Sequence, residues 1–252
     1  MRIWVCFDDT DNFGAPRGTG KLARWFSDEL PEGCTVWGVV RQQLLVDPRI
    51  PYTSHNSSAC VTVDGAAPEH VPVIIERAAA HLERHALEGS DPGLCVVAED
   101  DPAIARLIEF GRRAAVDIVT QADAYAAAEG AHLSGHGGTN DGVIGAAAGV
   151  GLTAWGWTGR FVEFGNLRGF PTRVSVADME EAGMLVLPVD RNVVSPCPSD
   201  LVDTADWLRP RLWGGRPAVP VTKAEAGLWM AIGKQPGDVL PPPAVPPVLD
   251  SD

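Results

Sequence analysis

The chain opens on an apolar run, Ile3–Phe7, that meets acid at Asp8 and Asp9. Such a run predicts a buried strand over Arg2–Phe7. Leu22–Glu29 reads as a short helix, ended by Pro31 and Gly33. The β-branched and apolar stretch Thr35–Val46 predicts one or two strands interrupted at Gly38, and Cys60–Val63 predicts another. Between Pro68 and Leu87, helical spacing runs through Val73, Ile74, Arg77, Ala80, His81 and Arg84. Leu94–Ala98 then reads as a buried strand and Ala103–Arg113 as an amphipathic helix.

Further along, Val116–Thr120 predicts a short strand and AYAAAEG a helical stub. Val143–Val150 predicts a helix packed through small residues, and Phe161–Phe164 and Met184–Val189 late strands. Strands alternating with helices indicate an α/β or α+β fold. A weak boundary near Asn166–Pro171 divides the chain into residues 1–165 and 166–240. The proline-rich stretch at 241–252 is expected to be extended or disordered.

Composition narrows the class of protein. Of 252 residues, 45% are hydrophobic and 21% charged, ordinary for a soluble domain. No apolar run reaches membrane-spanning length, and acid arrives too early for a signal peptide. The five cysteines stand singly, with no CxxC pair to suggest a zinc ribbon or redox couple. A reducing, cytoplasmic setting is expected. The formal net charge of −13 argues against a nucleic-acid backbone as partner, since that binding needs clustered Lys and Arg. It suits a cationic small substrate instead.

Four stretches carry candidate chemistry. In DDTD, the carboxylates Asp8, Asp9 and Asp11 crowd the end of a buried strand, a costly arrangement unless a cation joins them. Mg²⁺ is the usual choice; the plain alternative is an Asp-capped turn. RGTGKL fails the Walker spacing, because Ala15 and Leu22 stand where Gly and Ser or Thr are required. Gly18, Thr19, Gly20 and Lys21 nevertheless open a helix, with a hydroxyl and an ammonium suited to phosphate, or form an ordinary first turn. The polar run Thr53–Ser58 is foremost a solvated loop, though His55 and Asn56 could orient a phosphate or a base. In GHGGTNDGVIGAAAGVG, Gly137, Gly138 and Gly142 permit a phosphate cradle, with Asn140 and Asp141 available to metal or ribose. A glycine-rich turn before a tightly packed helix explains the same residues.

Taken in order, DDTD, the Gly18–Leu22 loop, RQQLLVDPRIPY with Asn56, and GVIGAAAGVG resemble the archaeal tRNA-Ile agmatidine synthetase family. Weaker similarity extends to about Arg216. The resemblance implies a kinase-like catalytic domain with a ferredoxin-like βαβ part and a short β-containing C-terminal segment. It also implies ATP and Mg²⁺, with Asp8, Asp9 and Asp11 on the metal and Thr19 matching a threonine that becomes phosphorylated. In that family a cytosine carbonyl oxygen is activated by phosphorylation and agmatine displaces the phosphate. Here the family's Cys-Thr-Thr is Gly18-Thr19-Gly20, and its Arg-Gly-Asn falls on His55-Asn56-Ser57, one place out of register. The zinc ribbon is absent, and the chain ends where much of the tRNA-grasping part is expected. The expectation is therefore a shortened stand-alone relative. Its acceptor would be a small molecule or nucleoside and its amine cationic, with tRNA disfavoured for this chain alone. Two alternatives stay open: a nucleotide-binding regulatory module without turnover, and tRNA modification with a separate RNA-binding chain.

Overall fold

The computed structural model describes residues 1–52, 55–190 and 192–233. The proline-rich stretch at 241–252, and Thr53 and Ser54 of the polar loop, lie outside the described residues. Six elements come first: β1 (Ile3–Asp8), α1 (Thr19–Trp25), β2 (Thr35–Gln43), β3 (Ser57–Asp64), α2 (His70–His85) and β4 (Gly93–Ala98). Their strands pair antiparallel in the order β4-β1-β3-β2, the ferredoxin-like βαββαβ arrangement.

The two-residue period of β1 explains why it is apolar throughout. Ile3, Val5 and Phe7 point to one face, where Leu22 and Phe26, with Ile74 and Leu82 of α2, bury them. Cys6 points to the other face, among Leu107, Ala147 and Val150. That second layer is built by α3 (Ala103–Ala114), α4 (Gln121–Ala127), β5 (His132–Gly135) and α5 (Gly142–Trp155). A helix carrying four glycines forms poorly alone, even with its alanines. Here α5 gains from close approach: a Cβ at Gly149 would fall 2.4 Å from Cys6 Sγ, and one at Gly151 would fall 1.9 Å from the Leu107 carbonyl oxygen.

Beyond α5 the sheet continues through β6 (Arg160–Glu163), β7 (Arg173–Ser175), α6 (Val176–Glu181), β8 (Leu185–Pro188), β9 (Leu201–Asp203), β10 (Arg211–Trp213), β11 (Arg216–Glu225) and β12 (Leu228–Ala231). β6 pairs with both β2 and β10, so a mixed sheet runs β5-β4-β1-β3-β2-β6-β10-β11-β12-β9-β7, with β8 on β11. Its far end has its own core around Trp229, Phe161, Met179 and Val221. The molecule is thus a mixed α/β protein of the α+β kind. Among the described residues no helix is long and apolar enough to cross a membrane.

Several elements depart from expectation. Val116–Thr120 is not a strand: Val116 is 76% exposed, and the segment is a turn leading into α4. The first helix begins earlier, at Thr19, and Phe26–Glu29 tightens into 3-10 geometry. Gly38 does not interrupt β2; it marks a register shift where Phe161 packs so closely that a Cβ would meet its ring at 2.8 Å. β5, β7, β9, β10, β11 and β12 carry no strand expectation, nor α6 a helical one.

Candidate active site

The antiparallel layout brings the end of β1, the end of β2 and the start of β3 to one side of the sheet. There the starts of α1, α4 and α5 surround a cavity of about 510 Å³. Asp8, Asp9, Asp11, Gly18, Thr19 and Gly20 line it. Arg41, Arg49, Tyr52, His55 and Asn56 line it as well, with Asp117, Gln121, Asp141 and Gly145.

Asp8 closes β1 with its carboxylate against the backbone of α5, where a Cβ at Gly145 would fall 1.8 Å from Oδ2. Only glycine admits the carboxylate there. Asp9 adopts φ 48°, a left-handed conformation costly for a non-glycine residue and one that gathers at functional sites. Burial, with Asp9 and Asp11 alongside, pushes the Asp8 carboxyl up to about 8, although the Asp9 N–H donates to it. Burial first, then Asp91, Asp11 and Asp141, pushes Asp9 up to about 6. These carboxylates repel one another in the absence of a countercharge.

The donor set fits Mg²⁺ in kind, being hard oxygen ligands of concentrated negative charge. Among the described residues no group of three or more His, Cys, Asp or Glu is already drawn together as a metal cage. Mg²⁺ itself takes one or two carboxylates and fills its other positions with water or phosphate.

Thr19 is the first residue of α1, almost buried, and its Oγ1 accepts a hydrogen bond from Thr10 Oγ1 at 3.0 Å. Asp11 lies against Gly18, where a Cβ would sit 2.9 Å from Oδ2. Arg41, in the same lining, donates through Nε to Ser57 Oγ at 2.8 Å. Burial and the neighbouring Arg160 charge lower its pKa. Burial and the Arg41 charge push the His55 imidazole down, favouring its neutral form. Asn56 Nδ2 donates to the Leu45 carbonyl at 2.7 Å, bracing its loop.

Four expected cofactor residues lie elsewhere. Gly137, Gly138, Asn140 and Gly142 do not line the cavity. Their loop closes on the segment before β4: a Cβ at Gly142 would fall 2.4 Å from the Asp91 carbonyl oxygen, and one at Gly138 would fall 1.4 Å from Asp91 Oδ1. Asp91 fastens that loop by accepting from Thr139 N and Oγ1, at 2.8 and 2.9 Å. Of the glycine-rich stretch, Asp141 and Gly145 reach the cavity, and Gln121 Nε2 donates to Asp141 Oδ1 at 2.6 Å. Lys21 is also absent from the lining. It is exposed, with its ammonium 5.2 Å from the Trp25 ring centroid.

Sequence reasoning missed Arg41, Arg49, Asp117 and Gln121 of the lining, and Asp91 beside Asp9. Asp91 stands two residues before Gly93, which pairs with Asp8. Only knowledge of the β1–β4 pairing makes it a neighbour.

Comparison with protein-family models and with curated proteins finds no match. Solved structures do match. A tRNA fluorescent labeling enzyme shares 28% identity over 60% of this chain and 36% of its own, with a TM-score of 0.50. A complex of TiaS with tRNA and ATP shares 26% over 60% of this chain and 36% of its own, at 0.51. A TiaS complex with tRNA, AMPCPP and agmatine, at 22% identity, covers 72% of this chain and 44% of its own, at 0.52, and speaks for the fold alone. TiaS is a tRNA-Ile agmatidine synthetase. This chain therefore spans less than half the length of those proteins, and at the level of fold it is related to the agmatidine synthetase.

Proposed function

We propose that this protein catalyses Mg²⁺- and ATP-dependent phosphoryl transfer to a carbonyl or hydroxyl oxygen of a small molecule or nucleoside, a cationic amine such as agmatine then displacing the phosphate. The observation that carries the reading is the meeting of Asp8, Asp9, Asp11 and Thr19 with Arg41 and Arg49 in one cavity. The fold relation to an ATP-bound tRNA-modifying synthetase supports it.

Asp8, Asp9 and Asp11 would hold Mg²⁺, with Asp141 nearby. When bound, the ion would supply charge neutralisation across the phosphates. Arg41 and Arg49 would draw the anionic end of the nucleotide into the cavity. Thr19 offers an acceptor hydroxyl at the cavity face of α1. His55, neutral, is suited to hydrogen-bond a base or sugar rather than to add charge. The acidic wall would favour a cationic amine over a neutral one. The catalytic part lies in residues 1–165, with residues 166–240 a smaller appended region, and the overall charge of −13 favours a small acceptor over an RNA backbone.

The test is ATP turnover by purified protein with Mg²⁺, separating ADP, AMP, phosphate and pyrophosphate, with and without agmatine and cytidine. Turnover that disappears in Asp9→Asn is the expected result. Failure to bind ATP at all would overturn the reading and leave DDTD as a capped turn.

A further inference from the structure

Away from the cavity, β5 is the terminal strand of the sheet among the described residues, paired with β4. Its alternation sends Leu133 into the α3–α5 core and His132 and Ser134 to the opposite face, with His136 following just beyond the strand. Ser134 Oγ lies 2.8 Å from His136 Nε2, and His136 Nδ1 lies 3.1 Å from Glu83 Oε1 on α2. His132 Nε2 is 2.9 Å from the same hydroxyl. A hydroxyl on an imidazole whose second nitrogen meets a carboxylate is the arrangement of an activated nucleophile.

With His136 in its neutral form, the chemistry of the partners sets the proton positions. An ionised Glu83 can only accept, so a neutral His136 donates through Nδ1. Its Nε2 is then an acceptor, and Ser134 must donate to it. His132 Nε2–H in turn donates to the hydroxyl oxygen, which leaves the Ser134 proton directed at His136. Burial and the neighbouring His136 lower the His132 pKa, which favours the neutral ring this relay needs. The imidazole of His136 is 11% exposed and Glu83 is 65% exposed, so the relay reaches solvent from the acid side.

We propose that Ser134, His136 and Glu83 form a second nucleophilic site, separate from the cavity of Asp8 and Thr19, that takes small acyl esters. Ser134 Oγ attacks the ester carbonyl carbon while its proton passes to His136 Nε2. The bond from that carbon to the alcohol oxygen breaks, and the proton leaves with the alcohol. Water then attacks the acyl-serine and gives a proton to Nε2. The bond to Oγ breaks, the acid departs, and the proton returns to Ser134. His132 is a positioning residue that directs the hydroxyl.

Full-length protein is treated with a fluorophosphonate probe and, separately, with p-nitrophenyl acetate; the modified residue is located by peptide mass. The expected result is one adduct on Ser134 and ester hydrolysis at least a hundredfold above that of Ser134→Ala. His136→Gln should lower both about a hundredfold, and Glu83→Gln about tenfold, the smaller effect reflecting an exposed carboxylate. A thermal melt confirms that each variant is folded. No adduct on Ser134 in folded protein, or hydrolysis by Ser134→Ala at the wild-type rate, overturns the proposal. Labelling of Ser134 that is unchanged in folded His136→Gln also overturns it, since the histidine would then not activate the hydroxyl.

Discussion

The two glycine-rich loops look alike in composition and behave differently. Gly18–Gly20 faces a cavity: the nearest atom to a Cβ at Gly20 is 4.0 Å away, and at Gly18 it is the tip of the Asp11 side chain at 2.9 Å. Gly137–Gly142 faces its own protein. There a Cβ would run into the Asp91 carboxylate, or into the backbone of Asp91 and Gly93. Glycine reports that something must come close, and does not say whether that something is a ligand or the neighbouring chain. The acid loop and the Thr19 loop belong to the cavity, whereas the more conspicuous glycine stretch mainly locks α5 onto β4.

The sharpest way to break this distinction is to add one methyl group to each loop. Gly142→Ala would place Cβ 2.4 Å from the Asp91 carbonyl oxygen and 2.6 Å from Gly93 N, both rigid backbone. The expected loss of stability is about 4 kcal/mol, an overpacking that cannot relax through a side chain. Gly18→Ala asks only Asp11 to swing aside, and should cost under about 1 kcal/mol. Urea unfolding of the two variants checks this, and equal costs would erase the contrast between the loops.

Activity should divide the other way. Asp9→Asn is expected to fold normally yet lose at least about a hundredfold in ATP turnover, about 2.7 kcal/mol of barrier. Gly18→Ala should weaken the Mg²⁺ dependence through the displaced Asp11. A Mg²⁺ titration of turnover in each variant reads both effects, and full activity in Asp9→Asn would remove the acid loop from the chemistry.

The strong elements were legible because their sequence signals are local. β1, β4 and α3 stand within one or two residues of expectation, since apolar runs and helical spacing are properties of contiguous residues. The strands β7, β9 and β10 are three residues each, too short to show any alternation. Val116 and Ile118 mislead because an alternating apolar pair suggests a strand, whereas both are exposed and Ile118 lines the cavity. DDTD and the Thr19 loop were readable as candidate chemistry. Arg41 and Asp91 were not, because a lone arginine in a strand and an aspartate in a turn gain meaning only from strand pairing.

The raised carboxyls make a smaller prediction, for metal-free protein. In the native state Asp8 holds a proton up to about pH 8, whereas an unfolded aspartate releases it near pH 4. Between those values the unfolded state binds fewer protons, so stability falls as pH rises and is greatest on the acid side of the window. Asp9, pushed up to about 6, adds a shorter decline over the lower part. The combined loss from pH 5 to pH 8 should be about 2 kcal/mol, since solvent at the cavity mouth and relaxation of the cluster discount the nominal shift. Urea midpoints in EDTA at the two pH values measure it. Asp8→Asn should flatten the decline, and Mg²⁺ should restore stability more at pH 8 than at pH 5. A pH-independent midpoint would mean that the acids are better solvated than their placement implies.

Lys21 is the mildest test, because it belongs by sequence to the cavity loop and by geometry to the outside of the helix. Its ammonium sits over Trp25, an exposed cation–π contact worth about 0.5–1 kcal/mol. Lys21→Gln should therefore lower stability by no more than that and leave the KM for ATP within about twofold, because a charge turned from the cavity contributes only a screened, long-range attraction. Arg41→Gln, on the cavity wall, should raise the same KM at least tenfold, the loss of a direct ionic hydrogen bond. The pair of measurements decides which positive charge holds the phosphates. If Lys21→Gln instead produced the larger rise, the lysine would have to leave Trp25 and fold over the cavity when nucleotide binds, and the Gly18–Lys21 loop would then act on phosphate as a unit.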